Sequence, residues 1–344
     1  MKNITISLAP LGLLLSVFMV ISCQGNGGKE TSGQVDTSAV VVVDTSLDAI
    51  NKKISADPQN PVLLHTRALL LIDLKKFDEA LSDMRNVLNL DSTKSEYFIT
   101  MADLSMAANR TFNAKMFLEK AIILDPDNHE ASLRLAELNF IVRRYPESLE
   151  ILNRLIAKDK SDTTALLMRG FIFKENGDTV RAISDFRTAV ESNPEFYAAY
   201  HQLGMIFQLR NDPICEGYFS NAIRIRPNSE EALYGRGLWY QEHDEYDKAI
   251  QDYTSIIKIN PRNKSAHFNL GYLHQVHLKV YAEAVKHFTR ALEVDPQYAE
   301  AYLNRGLCYE SMGNISEAKK NFEAALVNRP GYVLAQEGIK RVSK

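Results

Sequence analysis

The side chains able to do chemistry are few, and the histidines come first. His267, His274 and His277 fall close together, with His287 further on. His274 and His277 stand at i and i+3, and paired helix histidines can hold a transition metal. No Cys, Asp or Glu interleaves the three. His267 and His274 fill places where core aromatics recur along this chain, so they read as aromatic substitutes, and neither metal nor cofactor is expected. Cys215 and Cys308 lie far apart in the chain, on separate helices, too distant for a disulfide without refolding. Both read as small buried residues. No G-x-S-x-G, phosphate-cradling loop or paired-Cys motif is present. Gly25-Asn26-Gly27-Gly28 is flanked by neither strand nor helix. Acidic pairs such as Glu230-Glu231 stand at helix starts, where they favour the helix dipole. The expectation is a chain without catalytic residues, hence not an enzyme.

The bulk properties agree with a binding role. Of 344 residues, 45% are hydrophobic and 24% charged, with a net charge of −3. Basic residues form no single stripe, so nucleic acid is not an expected partner.

Residues 1–22 read as a targeting segment. Lys2 supplies a positive start, and Leu11–Ile21 (LGLLLSVFMVI) is almost wholly apolar. That run is too short for a permanent membrane span and fits the apolar core of a secretory signal. It ends in Val20-Ile21-Ser22-Cys23, which resembles a bacterial lipobox. The resemblance implies cleavage before Cys23 and lipid attachment to its thiol. A mature lipoprotein of this type carries several acyl chains, enough for stable anchoring. Gln24 is not the Asp that commonly retains such proteins at the inner membrane. The expected location is therefore the cell envelope, lipid-anchored at the outer membrane and facing the periplasm. Residues 23–45 are rich in Gly, Ser and Thr apart from Val40–Val43 and read as a tether with a reach of roughly 25 Å. The valine run reads as a transient strand or a docking patch.

Prolines reveal how the rest of the chain is organised. The successive spacings of Pro58, Pro126, Pro194, Pro227, Pro261, Pro296 and Pro330 are 68, 68, 33, 34, 35 and 34. From Pro58 to Pro330 the span (330 − 58) equals eight windows of 34. Windows start at 61, 95, 129, 163, 197, 230, 264 and 299. Their eighth place reads Ala68, Ala102, Ala136, Gly170, Gly204, Gly237, Gly271 and Gly306. Eight places before the next proline place come Leu118, Leu152, Phe186, Phe219, Phe288 and Phe322, and Ala121, Ala189, Ala222, Ala291 and Ala325 stand at five before it. Small against large at fixed spacing is what two interdigitating helices require. Each window reads as two helices, broken at Lys75-Lys76, Asn109-Arg110, Asn176-Gly177, Asn211-Asp212 or Gly313-Asn314. The fifth window is one residue short and the seventh one long, and both changes can sit in the turn between helices.

These residues resemble the tetratricopeptide repeat, most closely in the last window, with Tyr302, Gly306, Tyr309, Ala318, Phe322, Ala325 and Pro330. The resemblance covers 61–332. It implies an all-α, right-handed superhelical solenoid of about eight helical hairpins over 46–344. Residues 46–60 would be a partial repeat and 333–344 a capping helix.

The resemblance also implies a binding groove. In this family the fifth and ninth places of each first helix face the concave side. From the fourth window onward these include Phe171, Met205, Tyr234, Leu238, Phe268, Tyr272 and Leu303, flanked by Asn269 and Asn304. The two asparagines share the sixth place and resemble the backbone-gripping ladders of some peptide-binding arrays. The family's clamp for acidic C-termini needs Lys and Asn at inward places; here those hold Leu, Phe, Tyr and acids. The implied function is a membrane-anchored scaffold that binds an apolar or extended segment of other envelope proteins, within assembly or secretion machinery. A homo-oligomer packed through the same groove is a second reading. A glycan- or peptide-fragment-binding module, using Tyr234, Trp239, Phe268 and Tyr272 as stacking platforms, is the alternative.

Overall fold

A computed structural model describes residues 37–343, which form eighteen α-helices and no strand. The signal segment and Cys23 lie outside the described residues. The first helix, α1, runs Thr37–Ala56. Residues 37–45, read from sequence as the end of a tether, are therefore helical, and Val40–Val43 is not a strand. Leu47, Ile50 and Ile54, spaced three and four apart, are buried on one side of α1, and the helix they hold continues back to Thr37.

Sixteen helices come next, and seven successive pairs of them pack as hairpins. They are α2 (Pro61–Asp73) with α3 (Phe77–Leu90), α4 (Ser95–Ala107) with α5 (Thr111–Leu124), and α6 (His129–Ile141) with α7 (Tyr145–Lys158), after which α8 (Thr163–Glu175) and α9 (Thr179–Ser192) follow in the chain. Then come α10 (Tyr197–Leu209) with α11 (Ile214–Ile225), α12 (Glu230–Glu242) with α13 (Tyr246–Ile259), α14 (Lys264–Val276) with α15 (Tyr281–Val294), and α16 (Ala299–Ser311) with α17 (Ile315–Asn328). A last helix, α18, spans Val333–Val342. The described residues divide into two compact units, with the boundary between Ile172 and Phe173. Within each, packing is between helix neighbours along the chain, the pattern of stacked hairpins.

Each hairpin turn is built the same way. One residue adopts positive φ: Lys75, Asn109, Arg143, Gly177, Asn211, Asp244, Lys279 and Gly313. The next amide then donates to the carbonyl five residues back, as from Lys76 to Leu71 (2.8 Å), Arg110 to Ser105 (2.7 Å) and Asn314 to Tyr309 (2.8 Å). This left-handed cap satisfies carbonyls the ending helix would otherwise leave open. The seventh window differs: Val280 N donates to His274 O, six residues back, at 2.8 Å. Its extra residue does sit in the turn. The missing residue of the fifth window falls where the turn meets α11: Cys215 N donates to Asp212 O three residues back, where Ala249 N in the next pair donates to Glu245 O four back, both at 3.1 Å.

The small places seat rings. A Cβ built on Gly271 would come within 2.8 Å of the Phe288 ring, one on Gly237 within 2.9 Å of Tyr253, and one on Gly306 within 2.7 Å of Phe322. Phe219 is flanked on both sides, by Gly204 (2.8 Å) and Gly235 (2.6 Å). The glycines thus serve aromatic side chains of the second helices more than backbone approach. Where the large residue is aliphatic, as at Leu118 and Leu152, the small place holds Ala102 and Ala136, all four buried.

Arginines tie neighbouring hairpins together. Arg236 grips Asp252 with two bonds (2.9 and 2.7 Å) and donates to Ser220 of the preceding pair at 3.0 Å. Arg67 does the same with Asp83 (2.6 Å twice) and Asn51 of α1 (3.0 Å). Arg305 bonds Asn321 and Thr289. Each guanidinium joins three helices through its planar fork. Asp252 is only 4% exposed, so Arg236→Ala strands a buried carboxylate. Partial exposure of the arginine moderates the cost to about 2–3 kcal/mol. A urea titration reads it, and Arg236→Lys should recover only part of the loss.

Candidate partner-binding face

The first helices of the second unit, α10, α12, α14 and α16, carry the candidate face. α10 packs on α12, and α14 on α16. Residues four apart on one helix share a face, which sets Tyr234 with Leu238 and Phe268 with Tyr272. Met205 is exposed, whereas Tyr234, Leu238, Phe268, Tyr272 and Asn304 are half-buried. Leu303 is buried in the core formed with α17 and α18 (3% exposed), so its sequence assignment to an open groove is corrected. Phe171 belongs to the first unit and is also buried, at 4%. Both fill space between helices, where an apolar side chain is most stable.

The rings are supported from behind. Tyr234 lies 5.9 Å from Tyr253, and Phe268 lies 4.9 Å from Tyr298 and 5.6 Å from Phe288. Tyr253 and Tyr298 are missed by the window pattern of the first helices, because they come from a second helix and an interhelical turn. Burial raises the phenol pKa of both above the ordinary range.

The amides divide into satisfied and unsatisfied. Gln202 accepts from Lys174 at 2.8 Å, Gln208 donates to the Gly235 carbonyl at 3.1 Å, and Gln241 accepts from Tyr253 at 3.2 Å. Asn304 Nδ2 donates to its own helix, at Glu300 O, 2.8 Å away. Asn269 is 8% exposed, with its buried side chain against the Tyr253 phenol, to which it offers a weak hydrogen bond. Gln275 Oε1 is buried with no protein donor in range. Asn304 spends its Nδ2 on its own helix, so the two asparagines of the sixth place are held differently. What the face presents on α14 is the half-buried rings of Phe268 and Tyr272.

The corresponding places of the first unit are more polar. His65 Nε2 is 2.8 Å from Thr100 Oγ1, and Ile99 and Leu167 are buried. Burial raises the carboxyl pKa of Asp103 and of Glu137, with Arg134 at 3.6 and 3.9 Å opposing the shift.

The histidines regroup. His277 stacks on Tyr246, with ring centroids 3.7 Å apart, and leaves the cluster. Its place is taken by His287, 5.7 Å from His267 and 5.3 Å from His274. His267 Nε2 faces the Pro261 carbonyl at 3.0 Å and must donate, leaving Nδ1 as acceptor for His287 Nδ1 at 3.4 Å. His274 Nδ1 donates to Leu270 O at 2.8 Å. These bonds occupy nitrogens a metal would need. Among the described residues no group of three His, Cys, Asp or Glu side chains is arranged for a metal. Burial pushes the Cys215 and Cys308 thiols up to about 12, which keeps both protonated. Trp239, a candidate sugar platform from sequence, is 4% exposed and stacked on His243 at 3.6 Å.

Models of the tetratricopeptide repeat match residues 100–163, 231–263 and 299–332, and a TPR-repeat model matches 279–313. Among curated proteins, anaphase-promoting complex subunit 3 of Schizosaccharomyces pombe is 25% identical over 201 residues, 58% of this chain and 30% of its own. BBSome complex member BBS4 of Bos taurus is 21% identical over 63% of this chain and 42% of its own. The chain thus spans less than half the length of these relatives. A solved monomeric IFIT1 mutant with Gppp-AAAA aligns over 82% of this chain and 76% of its own at a TM-score of 0.50 and 17% identity, a likeness of fold alone.

Proposed function

We propose that the chain is a scaffold whose second unit captures an extended, partly apolar segment of another protein, a reading supported by its four matches to tetratricopeptide-repeat models. The observation that carries this reading is the set of half-buried rings on first helices of the second unit, Tyr234 on α12 with Phe268 and Tyr272 on α14, together with exposed Met205 on α10. An extended peptide presents alternating side chains that such rings can anchor. The lipobox-like Val20-Ile21-Ser22-Cys23 supports tethering to a membrane through Cys23, with partners in the cell envelope and the outer membrane as the site. Labelled fatty acid should enter the parent chain and be absent from Cys23→Ala.

The groove is tested by crosslinking. A photoreactive residue at exposed Met205 should yield protein adducts in native membranes. Tyr234→Ala with Tyr272→Ala should remove those adducts while helicity by circular dichroism stays unchanged. Adducts that persist in the double variant would sink the reading, and an adduct of twice the chain mass would replace it with self-association.

A further inference from the structure

The hairpin turns of the first unit differ in kind from those of the second. They read Lys75-Lys76-Phe77, Asn109-Arg110-Thr111-Phe112 and Arg143-Arg144-Tyr145. The equivalent turns of the second unit read Gly177-Asp178-Thr179, Asn211-Asp212-Pro213, Asp244-Glu245-Tyr246, Lys279-Val280-Tyr281 and Gly313-Asn314-Ile315. In the first unit, Lys75, Lys76, Arg110, Arg143 and Arg144 are all exposed, and Phe112 is 79% exposed at the start of α5. Phe77 is 42% exposed and Tyr145 half-buried. The turns share one edge: Phe77 and Arg110, from successive turns, line the same small cavity of about 140 Å³. Acids on this edge are Asp73, Asp78, Glu79 and Glu147; among them Glu79 pairs with a basic residue of the set, Lys76, at 3.7 Å. Lys75 and Arg143 also hold the left-handed conformation (φ 59° and 60°) that Gly177 and Gly313 supply elsewhere in this chain. In the second unit Lys279 does the same (φ 57°), so the first unit is set apart by the number of its turn cations.

A second observation concerns where the chain enters. α1 is seated as the second helix of a partial pair: Arg67 donates to Asn51 as Arg169 donates to Asn153, sixteen residues back in both cases. Second helices begin at the turn edge, and α1 ends at Ala56, one window (90 − 56 = 34) before α3 ends at Leu90. The same offset puts the start of a standard helix at 43 (77 − 34), but α1 begins at Thr37. The six extra residues project it about 9 Å past the edge. The chain therefore joins the first unit on the side that carries the basic and aromatic residues. Between Cys23 and Thr37 the chain can reach at most about 50 Å when extended.

We propose that this edge rests on an anionic lipid surface. The five cations face headgroup phosphates, and Phe77, Phe112 and Tyr145 enter the interface between headgroup and acyl chain. Cations near such a surface gain from its negative potential, and exposed aromatics gain from the half-apolar layer beneath. The inference builds on the anchoring reading for its orientation, but the contact itself needs no lipid on Cys23.

Vesicle binding of the unlipidated full chain, Cys23→Ala, tests it separately from acylation, which fatty-acid labelling reads. Binding to vesicles one-third phosphatidylglycerol should exceed binding to pure phosphatidylcholine by about tenfold or more at low salt, and the excess should vanish at high salt. Changing Lys75, Lys76, Arg110, Arg143 and Arg144 to Gln should remove the excess with circular dichroism unchanged. The fluorescence added by Phe112→Trp should be quenched by brominated acyl chains in the anionic vesicles. Equal binding of the five-Gln variant overturns the proposal. So does an unquenched Trp alongside tight heparin binding, which would make the edge a polyanion site.

Discussion

Gly271→Ala should destabilise the second unit by about 1–2 kcal/mol, although alanine is the better helix former. The new methyl would lie 2.8 Å from the Phe288 ring, and overpacking of this kind costs about 1–3 kcal/mol. Helix propensity returns up to about 1 kcal/mol of that. Phe288→Leu should also destabilise, by about 1 kcal/mol, because Phe288 is wholly buried. The combination should be milder than the sum of the two, with a favourable coupling of at least about 1 kcal/mol. The chain itself supplies the precedent: Ala102 stands with Leu118 and Ala136 with Leu152, all buried. Urea midpoints of the two single variants and the double variant measure the coupling. Strict additivity would show that the glycine is required for backbone approach instead of ring seating. Gly306→Ala should resist the same rescue by Phe322→Leu, since its Cβ would also meet the Ala318 carbonyl at 3.3 Å.

Mild acid should weaken the second unit through two histidines. Burial holds His201 down to about 4, with Glu231 opposing and Lys174 assisting. His287 is also held at about 4, by burial and then by His274 and His267 beside it. In the unfolded chain both would titrate near 6.5. Between pH 6.5 and 4 the unfolded state therefore binds more protons, and stability rises with pH across that window. It is complete above about 6.5 and is lost progressively as pH falls toward 4. His201 accounts for on the order of 3 kcal/mol, while His287, more exposed, contributes about half as much after solvent screening. The melting temperature should fall by roughly 10 °C between pH 7 and pH 4. His201→Phe should flatten much of that slope, because Phe219, with its ring 6.1 Å from His201, already packs against an aromatic face there. An unchanged slope in His201→Phe would mean that groups other than His201 control the acid limb.

Much of the fold was legible in the chain itself. Prolines recurring at multiples of one window, Ala or Gly at one place of every window and a large residue, mostly Leu or Phe, at another require paired helices in series, because only stacked hairpins bury such a pattern. The left-handed turns were legible where Asn or Gly marks them, at Asn109, Gly177, Asn211 and Gly313. They were less so at Arg143, Asp244 and Lys279, where tertiary packing overrides the residue's own backbone preference. The candidate site was legible as a face but not as a set of contacts. Helical periodicity says which residues of α14 and α16 share a side. It does not say that α17 and α18 cover Leu303, that Asn304 turns back to Glu300 O, or that Asn269 packs against the Tyr253 phenol.

The repeat, its length, its small-to-large pairing and the lipobox-like Cys23 follow from residue types at fixed spacing, and so they are written in the chain. Which side chains meet across helices is set by packing in three dimensions. Packing exchanged His277 for His287 in the histidine group and drew arginines into three-helix ties. It also brought cations from turns far apart in the chain to one edge. Spacing along one helix is fixed by the 3.6-residue turn, whereas contact between helices depends on rotamers and on which neighbour arrives to cover a given face.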